Sequence, residues 1–138
     1  MKPFTGTIAC AFCLLSIAFP GEASMQRLPD CKKKLGARAI QNRHIRERLA
    51  VEVIVAMNQI QGPVYTCGLE NRAYEFVRNG GPSIQIGGNV LYEERTGRHN
   101  LREVVSRWSE RLKSMAKKKF GCNLSIDASG YKVACVFK

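Results

Sequence analysis

Hydrophobic positions along this 138-residue chain recur with two different periods, and the changes of period mark out its elements. An apolar run at residues 8–19 follows Lys2 and is closed by Pro20, Gly21, Glu22 and Ala23. A basic start, a short apolar core and small residues at its end read as a secretory leader. The run falls short of the roughly 18 residues that a membrane span needs. Residues 1–23 are therefore expected to be a signal peptide, with Ser24 opening the mature chain. Pro29 and the run Lys32, Lys33, Lys34 make residues 24–34 an irregular arm.

From Ala37 the pattern turns helical. Ile45, Leu49, Val53, Met57 and Ile60 recur at spacings of three or four, with Arg38, Arg43, Arg46 and Arg48 available for an outer face. Val51, Val53 and Val55 also alternate, as in a strand. A helix is expected up to about Leu49, and residues 50–57 stay open between the two. Val64, Tyr65, Thr66, Cys67 and Gly68 follow the turn at Gly62 and Pro63 and read as a short strand. Leu69, Ala73, Phe76 and Val77 lie on one side of a short helix stopped by Asn79, Gly80, Gly81 and Pro82. Residues 83–86 and 89–93 read as strands around a turn at Gly87, Gly88 and Asn89. Asn100 and Glu103 form a capping box for a long helix, with Leu101, Val104, Val105, Trp108, Leu112 and Met115 as its stripe. Lys117, Lys118 and Lys119 suit its C-terminal dipole, and Gly121 is its stop. Residues 123–126 and 131–137 form a last hairpin. The fold class is α+β: a small disulfide-linked antiparallel sheet packed against helices. Residues 24–62 form a basic, partly helical N-terminal extension, and 63–138 the folded domain.

Six cysteines are present, and Cys10 and Cys13 leave with the leader. Cys31, Cys67, Cys122 and Cys135 remain, an even number that favours two disulfides in a secreted chain. Three connectivities are possible. Cys67 with Cys135 is expected, because both sit in short apolar runs and the bridge would close most of the domain, worth roughly 4 kcal/mol. Cys31 with Cys122 follows by elimination. Among these four, no spacing suits zinc, and no metal site is expected.

Charge adds a direction. The formal net charge is +11. Residues 27–48 hold eight Lys/Arg against two acids and 95–119 nine against two, while 52–94 is acidic on balance. Such a field draws phosphate-rich polymers or anionic surfaces in a salt-dependent way. Arg102, Arg107, Arg111, Lys113, Lys117 and Lys118 are the candidate nucleic-acid contacts, against the plainer reading of a solvated helix face.

Catalytic chemistry has few carriers. His44 and His99 are the two histidines, so a nucleophilic triad would have to use one of them. Residues 92–99 hold Tyr92, Glu93, Glu94, Arg95, Arg98 and His99. A carboxylate base, an imidazole acid and an arginine clamp there would suit phosphodiester cleavage, against the reading of an exposed charged loop. The glycine pairs lack the lysine and Ser/Thr of a phosphate loop. No cofactor is expected.

Tyr65 and Cys67 ahead of a helix, the turn at Ala128, Ser129 and Gly130, and the closing Ala134 and Cys135 together resemble the small guanyl-specific fungal ribonucleases. They resemble more closely the RNase-like secreted effectors of plant-pathogenic fungi, the powdery mildew type. The resemblance covers residues 64–81 and 124–135. It implies a microbial-ribonuclease-like fold and the same tie from Cys67 to a near-terminal cysteine. Ser125 and Glu94 stand where that family has its histidines, which implies lost catalysis. The reading is a secreted virulence effector, catalytically inactive and monomeric, that binds a host protein or RNA without stable membrane insertion. It stays outside the producing cell or passes into host cells. The alternatives are an active secreted guanyl-type ribonuclease using Glu93, Glu94, Arg95 and His99, and a cationic antimicrobial or membrane-active protein.

Overall fold

The computed structural model describes residues 28–79 and 89–138. The expected leader, the expected strand at 83–86 and the glycines at 80, 81, 87 and 88 lie outside the described residues. From residue 28 an arm leads into one helical turn, α1 (Lys32–Leu35), and a 3-10 turn at Gly36–Arg38. Helix α2 (Arg43–Met57) follows, then β1 (Val64–Tyr65) and α3 (Cys67–Arg78). After the undescribed stretch come β2 (Val90–Thr96), α4 (Leu101–Arg107), α5 (Ser109–Ser114), β3 (Lys119–Ile126) and β4 (Gly130–Phe137).

Local chemistry sets most of these ends. Asn42 starts α2 by accepting the Ile45 amide at 3.1 Å, Thr66 starts α3 by accepting that of Leu69 at 3.2 Å, and Asn100 starts α4 by accepting that of Glu103 at 3.1 Å. Asn58, at φ 50°, closes α2 in the left-handed conformation that asparagine tolerates. Asp127 turns β3 into β4, its Oδ1 accepting the amides of Ser129 at 2.9 Å and Gly130 at 3.0 Å.

The four strands form one sheet in the order β1-β3-β4-β2. β1 runs parallel to β3, and the other pairings are antiparallel. Helix α3 covers one face, packing Leu69, Ala73, Phe76 and Val77 against Ala134 and Val136. The other face takes α2, α4 and α5, where Leu49, Val53, Val104, Trp108 and Leu112 meet Leu91, Phe120, Val133 and Phe137. Gly121 brings α3 onto β3: a Cβ there would collide with the Glu70 amide nitrogen.

Glu70 is fully buried. Its Oε1 accepts from the Tyr65 hydroxyl at 2.6 Å and Arg46 Nε at 2.9 Å, and its Oε2 from the Ile40 amide at 2.9 Å. Arg46 also donates to the Pro29 carbonyl at 2.6 Å and lies over the Tyr65 ring at 5.0 Å. Burial, the neighbouring Glu70 charge and the bond to it push the Tyr65 phenol far above its ordinary range.

Several expectations change. The bridges are Cys31–Cys67 and Cys122–Cys135, not Cys67–Cys135 and Cys31–Cys122. The reason is register: Cys122 and Cys135 face each other across β3 and β4 with Cα atoms 4.0 Å apart. Cys67 lies in no strand. It is the first residue of α3, turned by the Thr66 cap to meet Cys31. The sheet is mixed rather than antiparallel, because β1 joins alongside β3. Residues 50–57 are helical, with Leu49, Ala50, Val53 and Met57 buried and Val55 outside. The segment expected as an extension thus supplies α2 to the same core as the strands.

The long helix expected after Asn100 breaks at Trp108 and ends at Ser114. Residues 115–118 then lead into the sheet, where Gln59 Nε2 bonds the carbonyls of Met115 at 3.2 Å and Lys117 at 2.9 Å, and the Val64 amide takes that of Lys118 at 2.8 Å.

Two measurements probe the buried network. Arg46→Met leaves Glu70 short of its cation and should cost about 3–5 kcal/mol in urea unfolding. Because the Tyr65 pKa is raised on folding, its contribution is complete below the unfolded value of roughly 10 and is lost as pH rises beyond it. Stability should therefore fall as pH rises from about 10 toward 12, and Tyr65→Phe should flatten that fall.

Candidate functional site

The residues proposed for phosphodiester chemistry sit on β2 and the segment that follows, and the strand separates them. Side chains alternate across a sheet, so Glu93 faces α4 while Tyr92 and Glu94 face the α3 side. There the Tyr92 ring lies 5.6 Å from that of Phe76, and its hydroxyl donates to Glu94 Oε1 at 3.1 Å. Burial and the Glu94 bond push the Tyr92 phenol up to about 12. Glu93 Oε2 accepts from Arg95 Nε at 2.8 Å and from Arg107 Nε at 2.7 Å, and Arg107 Nη1 reaches Glu103 at 2.6 Å. Partial burial opposes the Glu93 charge, but the bonds from Arg95 and Arg107 outweigh it and hold the carboxyl below the usual range. A carboxylate held between two guanidiniums is a poor proton acceptor, and this one ties α4 to the sheet. Glu93, Arg95 and Arg107 form a clamp, with Glu94 on the other face.

His99 belongs to a different setting. A groove of about 610 Å³ runs between α2 and the start of α4, lined by His44, Ile45, Glu47, Arg48 and Val51 on one side and by His99, Asn100, Leu101 and Arg102 on the other. The spacing of His44 and Arg48 puts both on one face of α2, and His99 and Arg102 flank the Asn100 cap. Both histidines of the chain therefore share one groove. The His99 ring meets Tyr131 edge to face at 6.4 Å. Glu47, the groove's carboxylate, is bonded by Arg43 Nε at 2.9 Å, which holds it below its ordinary pKa. Among the described residues, no carboxylate makes a salt bridge to Arg48 or Arg102.

The six basic residues singled out for nucleic acid do not share one helix face. Arg102 lines the groove, Arg107 is held by Glu93 and Glu103, and Arg111 and Lys113 are exposed on α5, with Lys113 Nζ 3.9 Å from Glu110. Lys117 and Lys118 lie beyond α5, in the segment that enters β3. His44 and Arg48 are the residues that sequence reasoning missed as site candidates. Their helical spacing was visible, but the packing of α2 against α4 that brings them to His99 was not. Among the described residues, no group of three or more His, Cys, Asp or Glu is placed to hold a metal ion, and no helix is long and apolar enough to cross a membrane.

The family model described as "ASPRs: Ancylostoma-associated secreted protein related" matches residues 31–137. The chain belongs to this family. That match overturns the resemblance to guanyl-specific ribonucleases and RNase-like fungal effectors, which rested on residues 64–81 and 124–135 alone. The ASPR match begins at Cys31, so it takes in both disulfides and the α2 segment that the earlier resemblance left outside the domain. No curated protein and no solved structure matches the chain.

The clamp carries its own pH dependence. Since the folded Glu93 pKa is lowered, its stabilisation is present above the unfolded value of roughly 4.3 and is lost as pH falls through the folded one. Amide exchange in α4 should quicken relative to the core between pH 6 and pH 3. In Glu93→Gln, α4 should exchange faster already at pH 6 and gain less on acidification.

Proposed function

We propose that this ASPR is a secreted binding protein that holds a polyanionic partner through the basic groove between α2 and α4. Secretion is supported by the leader-like residues 1–23, by the pairing of all four remaining cysteines in disulfides, and by the word "secreted" in the family's description. Binding rather than hydrolysis is supported by where the carboxylates are. Glu70 is fully buried, Glu93 is held by two arginines, and Glu47 is bonded to Arg43. None of the three is free to serve as a base.

The observation that carries this reading is the meeting of His44, Arg48, His99 and Arg102 in one groove. One arginine and one histidine come from the basic stretch before Glu52, and the other two residues from the one after Glu94. Folding thus merges two charge clusters that are far apart in the sequence. A field of this kind raises the local concentration of an anionic polymer and releases counterions when the polymer binds.

Elution from an anionic column tests it. The double variant Arg48→Glu/Arg102→Glu should leave at clearly lower salt than the parent, with affinity down about tenfold or more and a shallower salt slope. Arg72→Glu/Arg78→Glu, on α3 across the sheet and of the same charge change, should elute nearer the parent. Equal losses in the two variants would mean that net charge, not the groove, governs binding.

A further inference from the structure

Resting on that reading, we infer that the groove between α2 and α4 is a site for the sulfate groups of a sulfated polysaccharide. The reasons begin with the shape of the cationic surface. Arg48 and Arg102 stand on the two walls, with His44 and His99 beside them. Guanidinium groups present parallel N–H donors to tetrahedral oxyanions, and a protonated imidazole adds a donor from either ring nitrogen. Strong polar recognition is thus available at spaced points along a groove about 610 Å³ in volume.

A single-stranded nucleic acid would need more than charge. Proteins that hold it stack bases on exposed aromatic rings. Here Tyr65, Phe76, Trp108, Phe120, Tyr131 and Phe137 are buried. Tyr74 and Tyr92 are half-buried and lie on the α3 side, where Tyr92 packs on Phe76. Among the described residues, no Phe, Tyr or Trp lines the groove, and the His99 ring already meets the edge of Tyr131. Sulfate esters on a sugar chain ask only for cations and donors, which is what the walls offer.

The charged groups around the histidines divide cleanly. Arg43, Glu47 and Arg48 come from α2 and Arg102 from α4, and Tyr131 of β4 stands beside His99. The arginines keep their charge throughout, and Glu47 stays ionised because the bond from Arg43 holds its pKa down. A sulfate ester keeps its charge as well, so the guanidiniums face a permanent anion.

The test is calorimetric titration of the disulfide-bonded mature chain, at fixed salt and pH, with three probes. The probes are a heparin hexasaccharide, the same oligosaccharide after desulfation, and a single-stranded oligouridylate of matched charge. The sulfated sugar should bind, its desulfated form should not, and the RNA should bind at least about tenfold more weakly than the sulfated sugar. Arg48→Gln/Arg102→Gln should lose about tenfold or more in affinity for the sulfated sugar. Both residues lie at the surface, and an unchanged urea midpoint would show that the variant is folded.

Full affinity retained by the double variant would overturn the assignment to this groove. RNA bound as tightly as the sulfated sugar would overturn the choice of partner while leaving the polyanion-binding reading intact. Absence of binding to all three probes would overturn both.

Discussion

A single buried carboxylate governs how the segments of this protein meet. Removing an ionised glutamate from water costs several kcal/mol unless partners compensate it. The partners of Glu70 come from three separate parts of the chain: the Ile40 amide after the 3-10 turn, the Arg46 guanidinium on α2, and the Tyr65 hydroxyl on β1. The Glu70 backbone is engaged as well. Its amide lies against Gly121 of β3, and its carbonyl accepts from Asn123 Nδ2 at 3.2 Å. Arg46 then extends the network to the arm through the Pro29 carbonyl and Cys31 Sγ. If any one of these segments moved, a charge or a donor in the interior would lose its partner, so the network favours one arrangement of arm, helices and sheet.

The elements with local signals were legible in the sequence. The stripe from Leu69 to Val77, the Asn100 cap with Glu103, and the final hairpin around Asp127 all occur where side-chain chemistry alone requires them. Failures cluster where two signals compete or where the deciding contact is distant. Thr66 caps α3, but no acid stands three residues on, so Cys67 read as the end of a strand. Trp108 lies in the apolar stripe of one long helix, yet the chain breaks there and both Trp108 and Leu112 are buried. The disulfides were misassigned because cysteine pairing follows strand register, and register is set by the whole sheet.

The site shows the same division. The basic stretches and their flanking histidines could be seen in the sequence, and the helical spacing of His44 and Arg48 was visible too. What could not be seen was the packing of α2 against α4 and α5, where Leu49 and Val53 share one core cluster with Val104 and Leu112. The charged cluster on β2 misled in the opposite direction. Adjacent residues in a strand point to opposite faces, so Glu93 and Glu94 were near each other in sequence but were never placed to act together.

The Cys31–Cys67 bridge has a consequence for a nicked chain. The connection between α2 and β1, residues 58–63, is open to attack at Ile60, whose side chain is wholly exposed. A cut there falls inside the loop that the bridge closes, so the two pieces stay covalently joined. The buried carboxylate and its partners remain together across the nick. Damage at this connection would change the number of chain ends without releasing either half.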